Sequence, residues 1–549
     1  MKRSNKKERS DLFYISFILF IWFSAYILSF LFLDSSFEFD EAKYLANARG
    51  IAENFDFSSR SNTVMGLIKY GFPQHTTHYP LNSLYIAIFF KLLGASLNTA
   101  YFATWVSGLL VCIFLYLTLK LLTDGNKSFS FYTAISFLFL PRVLNLCNSA
   151  LMEIPGCALI VFLIFLIFKN LKIGRLNPLF LAFAVAWLYL YKSLFIGVIF
   201  GLLVLIFISY NLKLTKTKMP LYLNIFLFLL TSFLIYFIFT KFIFLKLGPW
   251  LVFDIKQVET GTYADFDGGF TKDIAGNLSL HIGAFFKRVI PQYFPFITAR
   301  LPEGEAVYIL TPCWFELATY FLVILYSIVF SFFLWKNFNP LQKVFIFFSF
   351  TSIICFNLIL ICITGTSAGS LCRYNMIYIP ILLLSSSIVI YKLLEHFNEL
   401  ISRNKKALTV TVVSFLFIVY LPYFYSGCLV RNLNDSFYYA ASKRITEAMK
   451  KFIGDAKPSF VYSQEGTFIT WDMYPVRDIF MQATNEEIKM LNRTLPRPIE
   501  YLFISPEQVL FKQNQELITS AKPIVDGAYN FIGYDKESNL IVYKYGLVN

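Results

Sequence analysis

The run LFYISFILFIWFSAYILSFLFL occupies residues 12–33, and shortly after it stands Phe39-Asp40-Glu41-Ala42-Lys43-Tyr44. The run is long enough to cross a hydrocarbon core, which takes about 20 helical residues. It is too long for a signal-peptide core, and no small-residue cleavage site precedes Asp34, so it reads as a retained signal anchor. Two adjacent carboxylates then sit a few residues beyond the expected membrane exit at Leu33, opening a helical pattern through Tyr44, Ala48 and Ile51. Such a pair is either a solvated helix N-terminus favoured by the macrodipole, or the base a membrane enzyme needs to deprotonate an acceptor beside a lipid-borne substrate.

The rest of the chain resembles the first run. Of 549 residues, 57% are hydrophobic, 19% aromatic and only 15% charged, which is the composition of a polytopic membrane protein. The formal charge of +14 raises the question of nucleic acid, and the placement of the cations answers it. They cluster at Lys2/Arg3/Lys6/Lys7/Arg9, Lys169/Lys172/Arg175, Lys213/Lys216/Lys218, Lys336/Lys343 and Arg403/Lys405/Lys406. Alternate loops carry them, so the pattern is positive-inside and no nucleic-acid partner is expected. Cysteines such as Cys112, Cys147, Cys157, Cys355 and Cys362 lie mostly in apolar runs without disulfide-framework or zinc spacing, and read as small hydrophobes.

Apolar runs predict about eleven spanning helices, over residues 12–33, 98–119, 129–147, 152–168, 177–191, 194–210, 220–245, 313–335, 341–363, 373–393 and 407–425. The stretch from Tyr79 to Leu93 is shorter, about 15 residues, and counting it as a span would put the basic loops outside. It is therefore expected on the membrane surface. Residues 1–425 form the transmembrane domain in this reading, with a cytoplasmic N-terminus. Residues 426–549, with β-rich stretches at 459–462, 500–504 and 539–545 and helical pattern between some of them, form a small extracytoplasmic α/β domain.

On the same expected face stand Asp40/Glu41, Glu153 in Met152-Glu153-Ile154-Pro155, Lys192 in Tyr191-Lys192-Ser193, and Arg373-Tyr374 after the Gly365–Ser370 loop. Pro155 suits a first helical turn, where Glu153 is either a helix N-terminal charge or a second acid. Lys192 is either snorkelling or binding an anion. Arg373 at a helix N-terminus opposes the macrodipole, which favours an anionic partner or the interface. Two acidic sites and two cations at one membrane face suit displacement of a lipid phosphate from a sugar, with a general base and a phosphate clamp.

Asp40-Glu41 after the first span, His78-Tyr79-Pro80-Leu81 opening the surface helix, Met152-Glu153-Ile154-Pro155 and the late Arg373-Tyr374 resemble, in order and spacing over residues 10–425, the polyprenyl-phosphate-sugar-dependent glycosyltransferases of the membrane C-type fold. The branch resembled is the protein O-mannosyltransferase and lipid A aminoarabinose transferase group. The resemblance implies surface helices in the first external loop, an isoprenoid-phosphate sugar donor in the outer leaflet, and inversion at the anomeric carbon. It implies Asp40 as catalytic base, Glu41 as the neighbouring acid that orients the acceptor or tunes Asp40, and Glu153 at a second acidic position that is often Asp in the family. Arg373 and Lys192 would neutralise the leaving phosphate, with His78 and Tyr374 as further phosphate or acceptor contacts.

No metal site and no cofactor are expected. Asp254, Asp265, Asp267 and Asp273 match no calcium loop, and no Gly-rich phosphate loop stands out, which favours a lipid-phosphate donor over a nucleotide sugar. The sequons at Asn126, Asn277, Asn434 and Asn492 matter only in a glycosylating compartment. The expected partners are membrane lipids, the polyprenyl-phosphate sugar and an acceptor that is a glycan, a lipid or a protein, at the plasma (inner) membrane. The alternatives are a secondary transporter or flippase of lipid-linked sugars, and an oligosaccharyltransferase-like enzyme, whose acceptor motif Thr470-Trp471-Asp472-Met473-Tyr474 resembles only faintly.

Overall fold

The computed structural model of the chain describes residues 10–32, 39–57, 60–72, 80–191, 196–216, 220–238, 312–363, 375–401, 447–463, 475–480, 483–504 and 524–546. It is mostly helical. Helix α1 (Asp11–Phe32) follows the first apolar run, and α2 (Phe39–Asn54) opens on the Phe39-Asp40-Glu41 motif. After strand β1 (Ser61–Thr63) come α3 (Val64–Tyr70), α4 (Pro80–Leu93), α5 (Leu97–Leu122), α6 (Lys127–Leu138), α7 (Pro141–Cys147) and α8 (Glu153–Lys172). Then follow α9 (Pro178–Tyr191), α10 (Ile196–Asn211), α11 (Leu221–Ile238), α12 (Pro312–Phe333), α13 (Pro340–Ile363) and α14 (Ile379–Ile401).

Among the described residues, five helices are long and apolar enough to cross a membrane: Asp11–Phe30, Leu97–Leu122, Glu153–Lys172, Pro340–Leu358 and Met376–His396. Leu81–Leu93, Pro178–Leu188, Gly197–Asn211, Leu221–Ile235 and Val323–Phe333 are apolar but shorter. The bundle's outer surface is itself apolar. Phe20, Phe233 and Phe332 stand 64%, 62% and 78% exposed, an arrangement unfavourable in water and natural in lipid. Inside, Trp105, Tyr116, Phe137, Phe168 and Phe345 are buried in one continuous core.

The run expected as one helix over 129–147 is two. Leu140-Pro141 interrupts it, because a proline ring fits a first turn but not a helix interior, and α7 starts on Pro141. A close seam joins α10 to α13. A Cβ at Gly197 would lie 2.5 Å from the Ser352 carbonyl oxygen, and one at Gly201 would overlap Ser352 Oγ and sit 2.8 Å from the Phe348 carbonyl oxygen. This small-xxx-small spacing lets two backbones approach where lipid offers no hydrophobic drive for helix association.

The other layer is a sheet, six-stranded among the described residues, in the order β1-β3-β2-β4-β6-β5. Its strands are β2 (Phe460–Ser463), β3 (Arg477–Phe480), β4 (Tyr501–Ile504), β5 (Tyr529–Asp535) and β6 (Leu540–Tyr545), with α15 (Asn485–Thr494) between β3 and β4. Alternation splits the strands between two small cores: Phe460, Tyr462, Leu502 and Ile504 on one face, Val461, Tyr501 and Phe503 on the other. Helical residues Ala448, Met449 and Ile453 pack on the second face. The first face is covered by Ile488 and Leu491 of α15 together with Val64 and Leu67 of α3.

Strand β1 is the sixth strand, and it comes from the loop after α2. Ser61, Asn62 and Thr63 pair in parallel with Asp478, Ile479 and Phe480. The first loop thus contributes an edge strand and a covering helix to a sheet whose other strands lie beyond residue 459. The division at residue 425, and the span over 407–425, fall outside the described residues.

Candidate active site

Two of the motif acids, Glu41 and Glu153, stand at a short, largely buried connection, Asn148 to Met152, between α7 and α8. Every residue of this turn but Leu151 has a side-chain partner from another helix. A Glu41 carboxylate oxygen accepts from the Ala150 backbone N–H, and Asn82 Nδ2 of α4 donates to the Ala150 carbonyl oxygen at 3.1 Å. Thr104 Oγ1 of α5 donates to the Ser149 carbonyl oxygen at 2.7 Å, and Trp105 Nε1 donates to Asn148 Oδ1 at 2.9 Å. Asn148 Nδ2 in turn donates to Ser29 Oγ of α1, and Tyr44 OH of α2 donates to Met152 Sδ at 2.7 Å. A non-helical turn inside a bundle exposes backbone amides and carbonyls that need partners. The four surrounding helices supply them.

Glu41 is fully buried, on the first turn of α2. Most of the helix that follows is buried too, Ala42, Tyr44, Leu45, Ala46, Asn47 and Ala48 alike, and as far as Gly50 only Lys43 and Arg49 stay part-exposed, so α2 is enclosed there on most sides rather than along one stripe. Glu153 is the first residue of α8, equally buried, with Pro155 in its first turn. A carboxylate there faces the positive end of the α8 dipole. The structure therefore brings Glu41 and Glu153 to the two sides of one turn, Glu41 bonded at Ala150 and Glu153 three residues further on.

One turn along α8, Cys157 Sγ lies 3.4 Å from the Met376 carbonyl oxygen. The segment that follows Arg373-Tyr374 is thereby packed on α8: Asn375, Met376, Ile377 and Tyr378 are buried, and the Tyr378 ring stacks on Phe356 at 4.2 Å between centroids. Asp40 belongs to the first turn of α2, and its side chain is outside the described residues. His78, Lys192, Arg373 and Tyr374 lie outside them as well, as do Trp471 and the acids at 254, 265, 267 and 273. Among the described residues no group of three or more His, Cys, Asp or Glu is placed to hold a metal ion.

Sequence reasoning missed Asn82, Thr104, Trp105 and Asn148. Each is a polar residue inside an apolar helix or at its end, and such residues in a membrane bundle are usually committed to an internal partner. That signal was available; the partner was not.

Two sequons have structural duties. Asn126 caps α6, accepting from Phe129 N at 3.1 Å. Asn492 accepts from Ile499 N at 2.9 Å and donates to Tyr529 OH at 2.9 Å. Asn277 and Asn434 are outside the described residues.

Compared with solved structures, the fold is that of ArnT from Cupriavidus metallidurans. The structure of that protein bound to undecaprenyl phosphate superposes with a TM-score of 0.55, covering 97% of each chain at 12% sequence identity. Its apo state gives 0.53, with the same coverage and identity. No protein-family model matches the chain, and no curated protein matches it in sequence. The membrane C-type fold expected from the ordered motifs is the fold found.

Proposed function

We propose that the chain is an inverting glycosyltransferase of the plasma membrane that moves a sugar from a polyprenyl-phosphate donor to an acceptor hydroxyl or amine at the outer face. The observation that supports it most is the buried turn at Ala150, gripped by Glu41 at the first turn of α2 and leading into Glu153 at the head of α8. That turn ties together the elements carrying the motif acids, in a fold shared with a protein solved with undecaprenyl phosphate.

In this reading Asp40 is the base. It takes the proton of the acceptor as the acceptor oxygen or nitrogen attacks the anomeric carbon, and the bond from that carbon to the donor phosphate breaks with inversion. The negative charge that grows on the departing polyprenyl phosphate is neutralised by Arg373, whose fork suits two phosphate oxygens, and by Lys192. His78 and Tyr374 contribute hydrogen bonds to the same phosphate. Successive helix positions are about 100° apart, so the inward commitment of Glu41 leaves the neighbouring position 40 on a different aspect of α2. Glu41 then serves Asp40 by fixing the first turn of α2, and Glu153 serves as the second acid. The arrangement works with about eleven spans, a cytoplasmic N-terminus, and the sheet with residues 426–549 on the outer side, where it selects or presents the acceptor.

The deciding experiment is Asp40→Asn in the purified full-length chain, with labelled polyprenyl-phosphate sugars and cell-envelope acceptors. Loss of a general base costs about 10²–10⁴ in rate, so transfer should fall by that factor while undecaprenyl phosphate still binds. Undiminished transfer by a folded variant removes Asp40 from the mechanism.

A further inference from the structure

The loop after α2 is joined to the sheet by more than three strand residues, and the extra contacts converge on Arg60. Its Nη2 pairs with Asp56 Oδ2 at 2.8 Å, and its Nη1 donates to the Pro475 carbonyl oxygen at 3.0 Å. Its backbone N–H donates to Asn47 Oδ1 of α2 at 3.3 Å, and its carbonyl accepts from Asp478 N of β3 at 3.0 Å. Only 6% of its side chain is exposed. Arg60 thus touches α2 on one side and the β3 segment on the other.

The surroundings are built to hold it. The side chain lies on Gly50 of α2, where a Cβ would meet Arg60 Nε at 3.0 Å and the Asp56 carbonyl oxygen at 3.2 Å. A side chain at position 50 would require Arg60 or the Asp56 carbonyl to give by a few tenths of an ångström. Beyond the last turn of α2 the chain reverses through Phe55, at a φ of +55° that is unusual for an aromatic residue, and Asp56 N bonds back to the Gly50 carbonyl oxygen at 3.1 Å. That reversal aims the Asp56 carboxylate at Arg60. The same Oδ2 takes Arg477 Nη2 at 3.0 Å, and the Arg477 guanidinium lies over the Phe72 ring, 5.1 Å from its centroid. Arg477 of β3 is therefore held between two residues of the first loop. Arginine suits Arg60's place because a carboxylate and a carbonyl are satisfied in two directions from one rigid plane, which a single ammonium does not do.

We infer that Arg60 is a positioning residue: bound to Asp56 and Pro475, it fixes α2, and with it position 40, against the sheet. This rests on the reading of Asp40 as base. Gly50 and Asn47 are ten and seven residues from Asp40 on one helix, which at 1.5 Å per residue carries a displacement over about 10–15 Å. Misplacing a reacting group by about 1 Å costs roughly 10²-fold, so a small shift at Arg60 is felt at the acceptor.

The test uses full-length protein in nanodiscs, with Arg60→Lys, Arg60→Ala and Arg477→Ala, each alone and with Asp40→Asn. Hydrogen exchange of α2 amides should rise in Arg60→Ala relative to those of α5. Turnover should fall about 10- to 100-fold, with Arg60→Lys intermediate, while affinity for undecaprenyl phosphate stays within about twofold. In the Asp40→Asn background the Arg60 loss should disappear, because a displaced base that is already absent costs nothing more. Unchanged α2 exchange in folded Arg60→Ala overturns the proposal, as does a loss that multiplies with that of Asp40→Asn. Should Arg60→Ala fail to fold, Arg477→Ala and Arg60→Lys carry the same comparison. If Asp40→Asn alone is fully active, the base reading fails and positioning of Asp40 falls with it, whereas α2 exchange still reports whether the clamp exists.

Discussion

Replacing Glu41 separates an anchor from a chemical participant. Its carboxylate and the Ala150 N–H are both fully buried. A hydrogen bond to a charged group contributes about 1.5–3 kcal/mol net, and a buried N–H left without its acceptor costs about 1–3 kcal/mol. Glu41→Ala loses both and opens a void under the Asn148–Met152 turn, so from this contact alone the loss is about 3–5 kcal/mol. Glu41→Gln keeps an oxygen at the same place and gives up only the charge assistance, about 1 kcal/mol. At roughly 2 °C per kcal/mol, the low end of the range for large domains, the melting temperature should fall by about 6–10 °C for Ala and about 2 °C for Gln. Thermal unfolding of the detergent-purified variants, alongside sugar transfer, reads both effects. The anchoring role is refuted if Glu41→Ala melts with the parent protein, or if Glu41→Gln keeps its melting point and loses transfer entirely.

Gly201→Ala should destabilise the α10–α13 seam by about 1–3 kcal/mol, because the new Cβ overlaps Ser352 Oγ and abuts the Phe348 carbonyl; Gly201→Ala paired with Ser352→Gly should recover part of it in the same melting assay. Asn492→Ala should cost about 1–3 kcal/mol by stripping Ile499 N–H and Tyr529 OH of a partner. Mass spectrometry of chain made in a glycosylating host should find Asn492 unmodified. Burial pushes Asp535 up, but bonds from Ser538 and Lys451 outweigh it and hold the carboxyl below its ordinary 3.8. Its contribution is therefore present above about pH 4 and lost as pH falls through the lower folded value. Acid unfolding should show Asp535→Asn less stable than the parent near neutrality, with the gap closing at the acid end.

The long apolar helices were legible because a membrane span is a composition before it is a contact: α1, α5 and α8 begin within a residue or two of the apolar runs that announced them. The break at Pro141 was equally visible, and went unread because the flanking residues stay apolar on both sides. In the sheet, β2, β4 and β6 coincide with the β-rich stretches, since each carries a run of bulky apolar residues. Strand β1 had no such signal. Ser61-Asn62-Thr63 is short and polar, and its strand character comes from partners more than 400 positions away. The same holds at the turn: Glu41 and Glu153 were visible as acids near membrane exits, but the bond of Glu41 to Ala150, three residues before Glu153, depends on how α2, α7 and α8 pack. Local pattern does not encode that.

The pairing of β1 with β3 also sets a clock on the chain's biogenesis. Asn62 leaves the ribosome 416 residues ahead of Asp478, to which its side chain donates. At about 5–20 residues per second, the edge strand waits roughly 20–80 s for its partner. Until then α3 has no sheet to cover and the end of α2 has nothing to brace it. The helices can be inserted in order as they emerge, yet the first loop acquires its final geometry only after residue 480 has been made. A ribosome that stalls before residue 477 thus leaves behind a helical bundle whose first loop lacks both its strand partner and the Arg477 that Asp56 holds.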